Sequence, residues 1–358
     1  MDQPAEAKTR RFEFLDAARA IAVVLVLFQH NGFPGTTISG FPIDTVINLG
    51  RVGVILFFCI SGFIIPFSIE KTKSVKSFLV SRFFRLYPAY WISLLLFVAF
   101  YNLGVQVDLF QANTSPLQWV ANATMLQLYV GVPNVIAVAW TLSIEWCIYI
   151  GACIVIVMGE RFNPRKATWV ASFAIGVLAI ATPLIIHKRF PGALPQGLLS
   201  ALLGYAFLQL YKDRLRASEV ALFAIVNTAL QAGSAYVNFK LYTKSNQEMG
   251  VEAMLVSVVV GELLFAVFYL FRTRSFPKWL TWIGMVSYSM YLFHGLVPLP
   301  YIGVLHPLAS RSIQFCGIFI ISAIGFRFVE QPFHKIGTRF RREMDARADK
   351  ANRGSLDA

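Results

Sequence analysis

Arg19 and His30 are the two residues whose types and spacing point most directly to chemistry. They lie eleven positions apart in the apolar stretch 14–30, which also holds Asp16. Eleven residues make about three helical turns, so both side chains fall on nearly one face, about 16 Å apart along the axis. A charge inside a bilayer costs several kcal/mol unless it is paired or hydrated. We therefore expect this face to line a polar cavity.

Membrane helices must build that cavity, because the composition excludes a soluble protein. Of 358 residues, 56% are hydrophobic and 14% are charged, and the mean hydropathy is +0.60. These values predict an all-α, polytopic membrane protein in contact with lipids. The net charge of +13 would also suit a nucleic-acid partner. We exclude one, because the basic residues form short clusters between apolar stretches, which is the distribution that sets membrane orientation.

Apolar windows of about 20 residues predict about ten transmembrane helices. They cover residues 14–31, 46–66, 86–104, 138–158, 168–187, 194–211, 217–238, 251–271, 280–303 and 312–331. With ten crossings, both termini lie on one side. That side carries 24 Lys and Arg against five on the other, which predicts cytoplasmic termini and places His30 near the outer face. Asp16 and Arg19 interrupt the apolar core that a cleaved signal peptide needs, so the first span is expected to be retained.

The chain is expected to form one transmembrane domain, residues 1–334, followed by a basic cytoplasmic tail, residues 335–358. The tail lacks an apolar period, which predicts a frayed helix or a disordered end. The connection 105–137 contains no Lys or Arg, and a short interfacial helix is predicted near residues 119–129.

Three further arginines are candidate ligand-binding residues. Arg82 and Arg85 are three positions apart at the predicted start of the third span, at the cytoplasmic surface. Two guanidinium groups on one helix face can grip phosphates bidentately, although positive-inside anchoring is the simpler explanation. Arg51 lies near the outer end of the second span, at a depth similar to that of His30. There it either snorkels to the headgroups or faces a substrate.

Glu145 is the acidic candidate, one to two turns in from the outer end of the fourth span. A carboxylate at this depth requires a basic partner, and His30 or Arg51 on a neighbouring helix is the predicted one. Such an acid marks a functional site by default, with a structural ion pair as the alternative. Glu252 and Glu262 in the eighth span have no evident partner in the sequence.

Ser61, Tyr288 and His294 are secondary candidates. His294 ends the aromatic stretch 288–294, and a single histidine among aromatic residues is more often structural than catalytic. Ser61 precedes Gly62, and small residues of this kind usually let helices approach closely in lipid. We retain all three, together with Arg51, as candidates for contacting a substrate or an oxyanion.

No set of residues in the sequence indicates a metal site or a permanently bound cofactor. The four cysteines fall inside predicted spans without metal-ligand spacing and are expected to be buried apolar residues. His187, His306 and His334 fall in connections or at span ends, away from acidic clusters. The Gly-rich phosphate loop, the nucleophile elbow and the dinucleotide fingerprint are missing from the sequence as well.

Six separated motifs, in this order, resemble the membrane-bound acyltransferase family 3, whose members O-acylate surface and exported carbohydrates. The motifs are an LD-x-x-R start whose Arg is followed by ten residues and then a His (Arg19, His30), FF-x-x-SGF (57–63), R-x-x-R-x-YP (82–88), W-x-L-S-x-E (140–145), YS-x-YL-x-H (288–294) and VEQP (329–332). The resemblance runs over residues 14–333. Members often carry a bulkier residue and then a glycine beside the first arginine, where this chain has Ala18 and Ala20.

The resemblance implies an O-acyltransferase of the bacterial inner (plasma) membrane. It implies that an acyl-CoA donor, most commonly acetyl-CoA, binds from the cytoplasm with the help of Arg19 and the R-x-x-R pair. It also implies that His30 is the essential residue at which the acyl group meets a carbohydrate acceptor. Combined with the predicted geometry, Glu145 would make His30 basic enough to take the proton of an acceptor hydroxyl, while Arg51 or a nearby serine stabilises the oxyanion.

Several alternatives remain open at this point. A covalent acyl-His30 intermediate is compatible with the same residues. A transporter or flippase for a lipid-linked saccharide would also need a polar path through ten helices, although the R-x-x-R pair suits a thioester donor better. A structural subunit of a polysaccharide synthase is a weaker third possibility. The acceptor is equally open among exopolysaccharide, lipopolysaccharide sugars, peptidoglycan and a small secreted glycoside.

Overall fold

Long helices make up most of the fold, as the composition predicted. The computed structural model describes residues 12–31, 37–38, 41–42, 46–69, 74–105, 107, 109–111, 115–158, 163–188, 190, 192–242, 250–298 and 307–354. The helices are α1 (Glu13–Asn31), α2 (Leu49–Ile69), α3 (Val75–Asn102), α4 (Pro116–Ala123), α5 (Gln127–Val130), α6 (Trp140–Met158), α7 (Pro164–Ile186), α8 (Ala193–Tyr211), α9 (Ala217–Ala235), α10 (Val251–Leu270), α11 (Lys278–Phe293), α12 (Pro307–Gly325) and α13 (Gln331–Gly354). Two-residue strands, β1 (Thr37–Ile38) and β2 (Phe41–Pro42), pair antiparallel between α1 and α2.

Eight helices in the described residues are long and apolar enough to cross a membrane. They are α2, α3, α6, α7, α8, α9, α10 and the rod that contains α12 and α13. The two other predicted spans correspond to α1 and to the 16-residue α11. Helices therefore stand at all ten predicted spans, and the chain is a multi-pass membrane protein. The predicted orientation rests partly on residues outside the described ranges, namely Lys8, Arg10, Arg11, Lys71, Lys73, Arg161, Arg189 and Lys244.

Helix α1 lies between α2 and α11, and glycines let both neighbours approach it closely. A Cβ atom at Gly53 of α2 would lie 2.4 Å from a carbonyl oxygen of α1, and one at Gly284 of α11 would lie 1.8 Å from the carbonyl oxygen of Asp16. Only glycine fits at such distances. Because Gly284 lies beside Asp16 and His294 lies beside His30, α1 and α11 run parallel.

A second close crossing fixes α2 against α8. A Cβ atom at Gly62 would lie 1.8 Å from the carbonyl oxygen of Ala201, and one at Gly204 would lie 1.9 Å from that of Cys59. Gly62 is therefore a packing residue, as the sequence indicated. The crossing with α8 fixes the position of α2. Helix α2 in turn contributes side chains to both ends of the polar face of α1.

A polar cluster away from α1 joins α9 to α10. The Glu262 carboxylate is 6% exposed. Its Oε2 accepts a hydrogen bond from Thr228 Oγ1 at 2.8 Å, and its Oε1 accepts one from Gln231 Nε2 at 2.7 Å. The sequence offered no partner for Glu262, and the structure supplies two from one neighbouring helix.

The start of the third span differs from the prediction. It was predicted at residue 86, but α3 begins at Val75, where the side chain of Ser74 accepts a hydrogen bond from the Ser77 amide at 3.1 Å. This N-cap satisfies one of the free amides of the first turn. Arg82 and Arg85 consequently lie about two to three turns inside α3, and the prediction that they stand at a helix start is wrong.

The C-terminal residues also differ from the expectation. Residues 335–354 were predicted to be frayed or disordered, but they form α13, which continues α12 through a π-helical turn at Phe326–Glu330. Helix α13 packs along α3, where the rings of Phe84 and Phe340 stack with centroids 5.6 Å apart. The polar composition of α13 hid this contact, because few apolar residues are needed to dock a helix on one side.

The short helix predicted in the connection before α6 is confirmed. The interfacial helix expected near residues 119–129 corresponds to α4 and α5, which are separated by a short break. The ninth span was predicted to reach residue 303, whereas α11 ends at Phe293 and a 3₁₀ turn follows at His294–Leu296. His306 lies outside the described residues. The early end of α11 is important because it places His294 at a helix terminus instead of in mid-span.

Candidate active site

Two cavities lie along the polar face of α1. The first, which we call the arginine pocket, has a volume of about 110 Å³. Its polar lining residues include Arg19, Ser61, Arg82, Arg85, Glu145 and Tyr288. The second, which we call the histidine pocket, has a volume of about 260 Å³. Its polar lining residues include Gln29, His30, Asn48, Arg51, Gln196 and Tyr291. Arg19 and His30 thus line cavities at opposite ends of one helix face.

The two pockets adjoin. Val54, Phe58 and Tyr291 line both of them. Tyr291 Oη donates a hydrogen bond to the carbonyl oxygen of Val138 at 2.9 Å, which fixes its ring between α11 and the start of α6. A partition of three side chains therefore separates the arginine end of the α1 face from the histidine end.

The arginine pocket concentrates positive charge. Arg19 forms an ion pair with Asp16, with Nη1 3.1 Å from Oδ1. Arg82 donates from Nη2 to Ser68 Oγ at 2.5 Å, and its guanidinium lies 5.2 Å from the ring centroid of Phe78. The Arg82 Nε atom is buried and has no hydrogen-bond partner among the described residues. A buried donor of this kind is costly when it is left unpaired, so the pocket is suited to an anionic ligand.

Glu145 lies in the arginine pocket and not beside His30. Its Oε1 accepts a hydrogen bond from Tyr149 Oη at 2.6 Å, and within the described part of the chain no basic side chain forms an ion pair with it. The prediction that His30 or Arg51 is its partner is therefore wrong. The reason is depth, because α6 enters the histidine pocket at Trp140 and Glu145 lies five residues further, about 7.5 Å along the axis.

His294 is the residue that faces His30. Their ring centroids are 5.4 Å apart. His294 Nδ1 lies 2.9 Å from the carbonyl oxygen of Tyr291, and a carbonyl can only accept, so the proton sits on Nδ1 and Nε2 is an acceptor. This Nε2 atom is buried without a hydrogen-bond partner among the described residues. It is available to an N–H group of His30, directly or through one water.

Arg51 lies in the histidine pocket, and its guanidinium donates from Nη1 to Gln196 Oε1. Its backbone amide donates to Asn48 Oδ1 at 2.7 Å. Of the two predicted roles, snorkelling to the headgroups does not describe a side chain that lines a cavity beside His30. Gln196 was not among the predicted site residues, although an amide in the apolar stretch 194–211, which also holds Gln209, was a usable signal.

Ser61 and Tyr288 lie in the arginine pocket, apart from His30. Tyr288 Oη donates to the carbonyl oxygen of Leu86 at 2.9 Å, which ties α11 to α3. The four secondary candidates therefore divide between the two ends, with Arg51 and His294 at His30 and the other two beside the arginines. Of the four, only Arg51 and His294 are placed to act together with His30.

Comparison with known proteins decides what kind of protein has this arrangement. Residues 12–326 match the acyltransferase 3 family, which is described as an acyltransferase domain. The chain belongs to the acyltransferase 3 family. The match covers the two pockets and ends before α13, so that helix lies outside the shared domain.

Three curated relatives fit this membership. The peptidoglycan O-acetyltransferase OatA of Listeria monocytogenes is 27% identical over 90% of this chain and 56% of its own length. Nodulation protein 10 of Rhizobium leguminosarum is 22% identical over 90% of this chain and 93% of its own length. The acyltransferase MdmB of Streptomyces mycarofaciens is 26% identical over 41% of this chain and 38% of its own length. The chain spans just over half the length of the Listeria relative.

Proposed function

We propose that this acyltransferase 3 protein is a membrane O-acyltransferase that moves an acyl group, in the simplest case acetyl, from acyl-CoA to a hydroxyl of an exported or cell-surface carbohydrate. The observation that carries the proposal is that one helix face leads from a cluster of arginines to a histidine pair through two adjoining cavities. A thioester donor with an anionic head and a long narrow arm fits this shape. The names of the Listeria and Streptomyces relatives support the same chemistry.

The positive charge of the arginine pocket determines where we place the acyl-CoA donor. The phosphates of CoA would lie at the arginine end, near Arg82 and Arg85, because a guanidinium binds phosphate oxygens bidentately. The pantetheine arm would pass Val54, Phe58 and Tyr291 into the histidine pocket. We place the arginine end at the cytoplasmic side of a bacterial inner membrane, where acyl-CoA is available, and the histidine end at the outer side, where the carbohydrate arrives. The charge asymmetry of the connections supports this orientation.

The reaction needs a base at the histidine end. His30 would take the proton of the acceptor hydroxyl as its oxygen attacks the thioester carbonyl carbon. The C–S bond then breaks, the thiolate leaves, and His30 returns the proton to sulfur, so that the products are an ester and free CoA thiol. The guanidinium of Arg51 lies in the same pocket and would stabilise the negative charge on the carbonyl oxygen.

We assign the orienting role to His294, in place of Glu145. An acceptor atom at His294 Nε2 would hold an N–H group of His30 and leave the other His30 nitrogen free as the base. Glu145 would act in the arginine pocket, where its carboxylate limits the net positive charge around the donor. This assignment keeps two imidazoles at the reacting atoms and the carboxylate at the donor-binding end.

The test is turnover of acetyl-CoA by the purified full-length protein in detergent, with release of free CoA thiol measured in the presence of an acceptor oligosaccharide. We expect His30→Ala to lower the rate by about 10³-fold, since a general base contributes about 10²–10⁴-fold. His187→Asn is the matched control, because His187 ends α7 in a left-handed conformation with φ of 50°, which Asn also adopts, away from both pockets.

Equal rates for wild type and His30→Ala would contradict the proposed chemistry. Absence of CoA binding and turnover, together with accumulation of unexported saccharide in cells lacking the protein, would favour a transporter. Release of CoA as a burst of one equivalent before acceptor is added would replace the direct transfer with a covalent acyl-His30 intermediate.

A further inference from the structure

Helix α13 lies beyond the shared acyltransferase domain, yet it is docked against the helix that carries Arg82 and Arg85. Ser77 Oγ of α3 donates to Asp345 Oδ1 at 2.7 Å. A Cβ atom at Gly337 would lie 2.6 Å from Cβ of Phe84, so the two backbones are close at that level. Asp345 lies opposite Ser77 and Gly337 lies opposite Phe84, which means that the helices run antiparallel.

This register decides which residues of α13 face α3. His334, Gly337, Thr338, Arg341 and Asp345 recur at a spacing of three or four, so they lie on one face of the helix. Arg341 stands between the two fixed contacts, one turn from Gly337 and one from Asp345. Arg342 is the next residue and lies about 100° away around the axis, on the exposed side.

The facing side of α13 brings further positive charge to the arginine pocket. Arg341 lies within electrostatic range of Arg82. Within the described residues, no carboxylate forms an ion pair with Arg82, Arg85 or Arg341. Like charges repel at short range. Glu145 lies within electrostatic range of Arg82, and Glu330 lies within range of Arg85, and an anion bound between the arginines would stabilise their convergence further.

We infer that Arg341 of α13 completes the binding site for the phosphate groups of the CoA nucleotide. The identity of the ligand rests on the proposed function, whereas the anion site itself rests on the docking of α13. Arg82 and Arg85 approach the phosphates from α3 and Arg341 approaches from α13, so the anion lies between two helices. Arg341 is a binding residue for the donor and takes no part in the chemical step.

The experiment compares Arg341→Gln with Arg342→Gln, which remove the same charge from two positions about 100° apart around one helix. Binding of CoA and of adenosine 3′,5′-bisphosphate is measured by calorimetry on the full chain in lipid-free detergent. We expect Arg341→Gln to weaken both by about tenfold, as the loss of one charge-assisted contact does. Arg342→Gln should remain within twofold of wild type. Arg341→Lys, which keeps the charge but not the fork, should fall between them.

Turnover gives a second measurement. Arg341→Gln should raise KM for acetyl-CoA by about tenfold with little change in kcat, since the contact is lost equally in ground and transition states. With S-acetylpantetheine, which lacks the nucleotide phosphates, wild type and Arg341→Gln should have equal kinetics. Unchanged elution and melting temperature of the variant show that α13 is still docked.

The outcomes separate this inference from the proposed function. Equal CoA affinity for the Arg341 and Arg342 variants, or no affinity in wild type, overturns the inference. CoA binding that depends on Arg341 in a protein that transfers no acyl group overturns the proposed function and leaves the inference standing. The same measurements in nanodiscs identify the source of the phosphate. If CoA affinity differs between Arg341→Gln and Arg342→Gln only when anionic lipid is present, the site binds a lipid headgroup. That result would overturn the CoA assignment.

Discussion

The arginine pocket and the Glu262 cluster are two polar sites inside the same membrane domain, and they are built in opposite ways. Both oxygens of Glu262 accept hydrogen bonds from α9, and the carboxyl group is almost fully buried. The arginine pocket is a cavity into which several cations converge, and the buried Nε of Arg82 has no partner in the described part of the chain. The protein itself satisfies both oxygens of the Glu262 carboxylate, although Gln231 Oε1 beside it is buried without a partner among the described residues, whereas the arginine pocket is a cavity suited to a ligand.

The contrast shows how to tell structural charges from functional charges in a membrane protein. An ionisable residue in a span is a candidate functional residue by default. Glu145 and Glu262 are equivalent by that rule, since each is a carboxylate within an apolar stretch. What distinguishes them is their surroundings, because Glu145 lines a cavity whereas both carboxylate oxygens of Glu262 accept hydrogen bonds from α9. Substitutions at the two sites should therefore affect different measurements.

The largest effect in this comparison is expected at the histidine end. His294→Ala removes the acceptor that faces His30, and we expect kcat for acetyl transfer to fall by about 100-fold with KM for acetyl-CoA unchanged. A positioning role also predicts that His294→Gln, which keeps an acceptor oxygen, recovers part of the rate. Unfolding in mixed SDS micelles should differ little between these variants. A kcat equal to that of wild type in His294→Ala would remove His294 from the mechanism.

The next effect is expected at Arg82. Arg82→Lys keeps the charge but loses the planar fork, and it also loses the stacking on Phe78. We expect KM for acetyl-CoA to rise about tenfold, equivalent to about 1.4 kcal/mol, while kcat is kept. Initial rates over a range of acetyl-CoA concentrations measure both constants. A fall in kcat at constant KM would show that Arg82 acts at the reacting atoms, which would contradict the division between the two pockets.

The sequence predicted the helices better than the contacts between them. Ten apolar stretches were sufficient to find the spans, and the spacing of Arg19 and His30 was sufficient to place them on one face, because helical geometry is regular. The partner of Glu145 could not be found in the same way. Its partner depends on how deep Glu145 lies relative to residues of the neighbouring helices, and the packing that sets these relative depths cannot be read from one apolar stretch.

The C-terminal part of the fold illustrates a second limit. The predicted tail was assigned from its low apolar content, yet α13 docks on α3 through one aromatic stack and a hydrogen bond to Asp345. A polar helix needs little apolar area to dock when the partner helix is already fixed. The start of α3 was missed for a related reason, because the Ser74 cap lies in a polar stretch where no apolar window begins.

A smaller effect on stability is expected at the Glu262 cluster. Glu262→Leu removes two hydrogen bonds between α9 and α10, and such bonds average about 0.6 kcal/mol in membrane proteins, so we expect a loss of about 1 kcal/mol. Turnover per folded molecule should be unchanged. Glu252→Gln, at the start of the same helix, is the control. A loss of turnover in Glu262→Leu at unchanged stability would place Glu262 in a functional site and remove the distinction between the two clusters.

The smallest effect is expected at Tyr288. This residue tests the distinction between structural and functional groups inside the arginine pocket itself. Its ring lines the cavity, but its hydroxyl donates to the Leu86 carbonyl oxygen and is therefore already used by the fold. Tyr288→Phe keeps the ring and removes one interhelical bond, so we expect a loss of about 0.6 kcal/mol in mixed-micelle unfolding and no change in KM or kcat. If the hydroxyl instead stabilised an oxyanion, kcat would fall by more than tenfold at constant stability. That result would mean that this hydrogen bond is exchanged for one to the substrate, and that a satisfied group can still belong to the site.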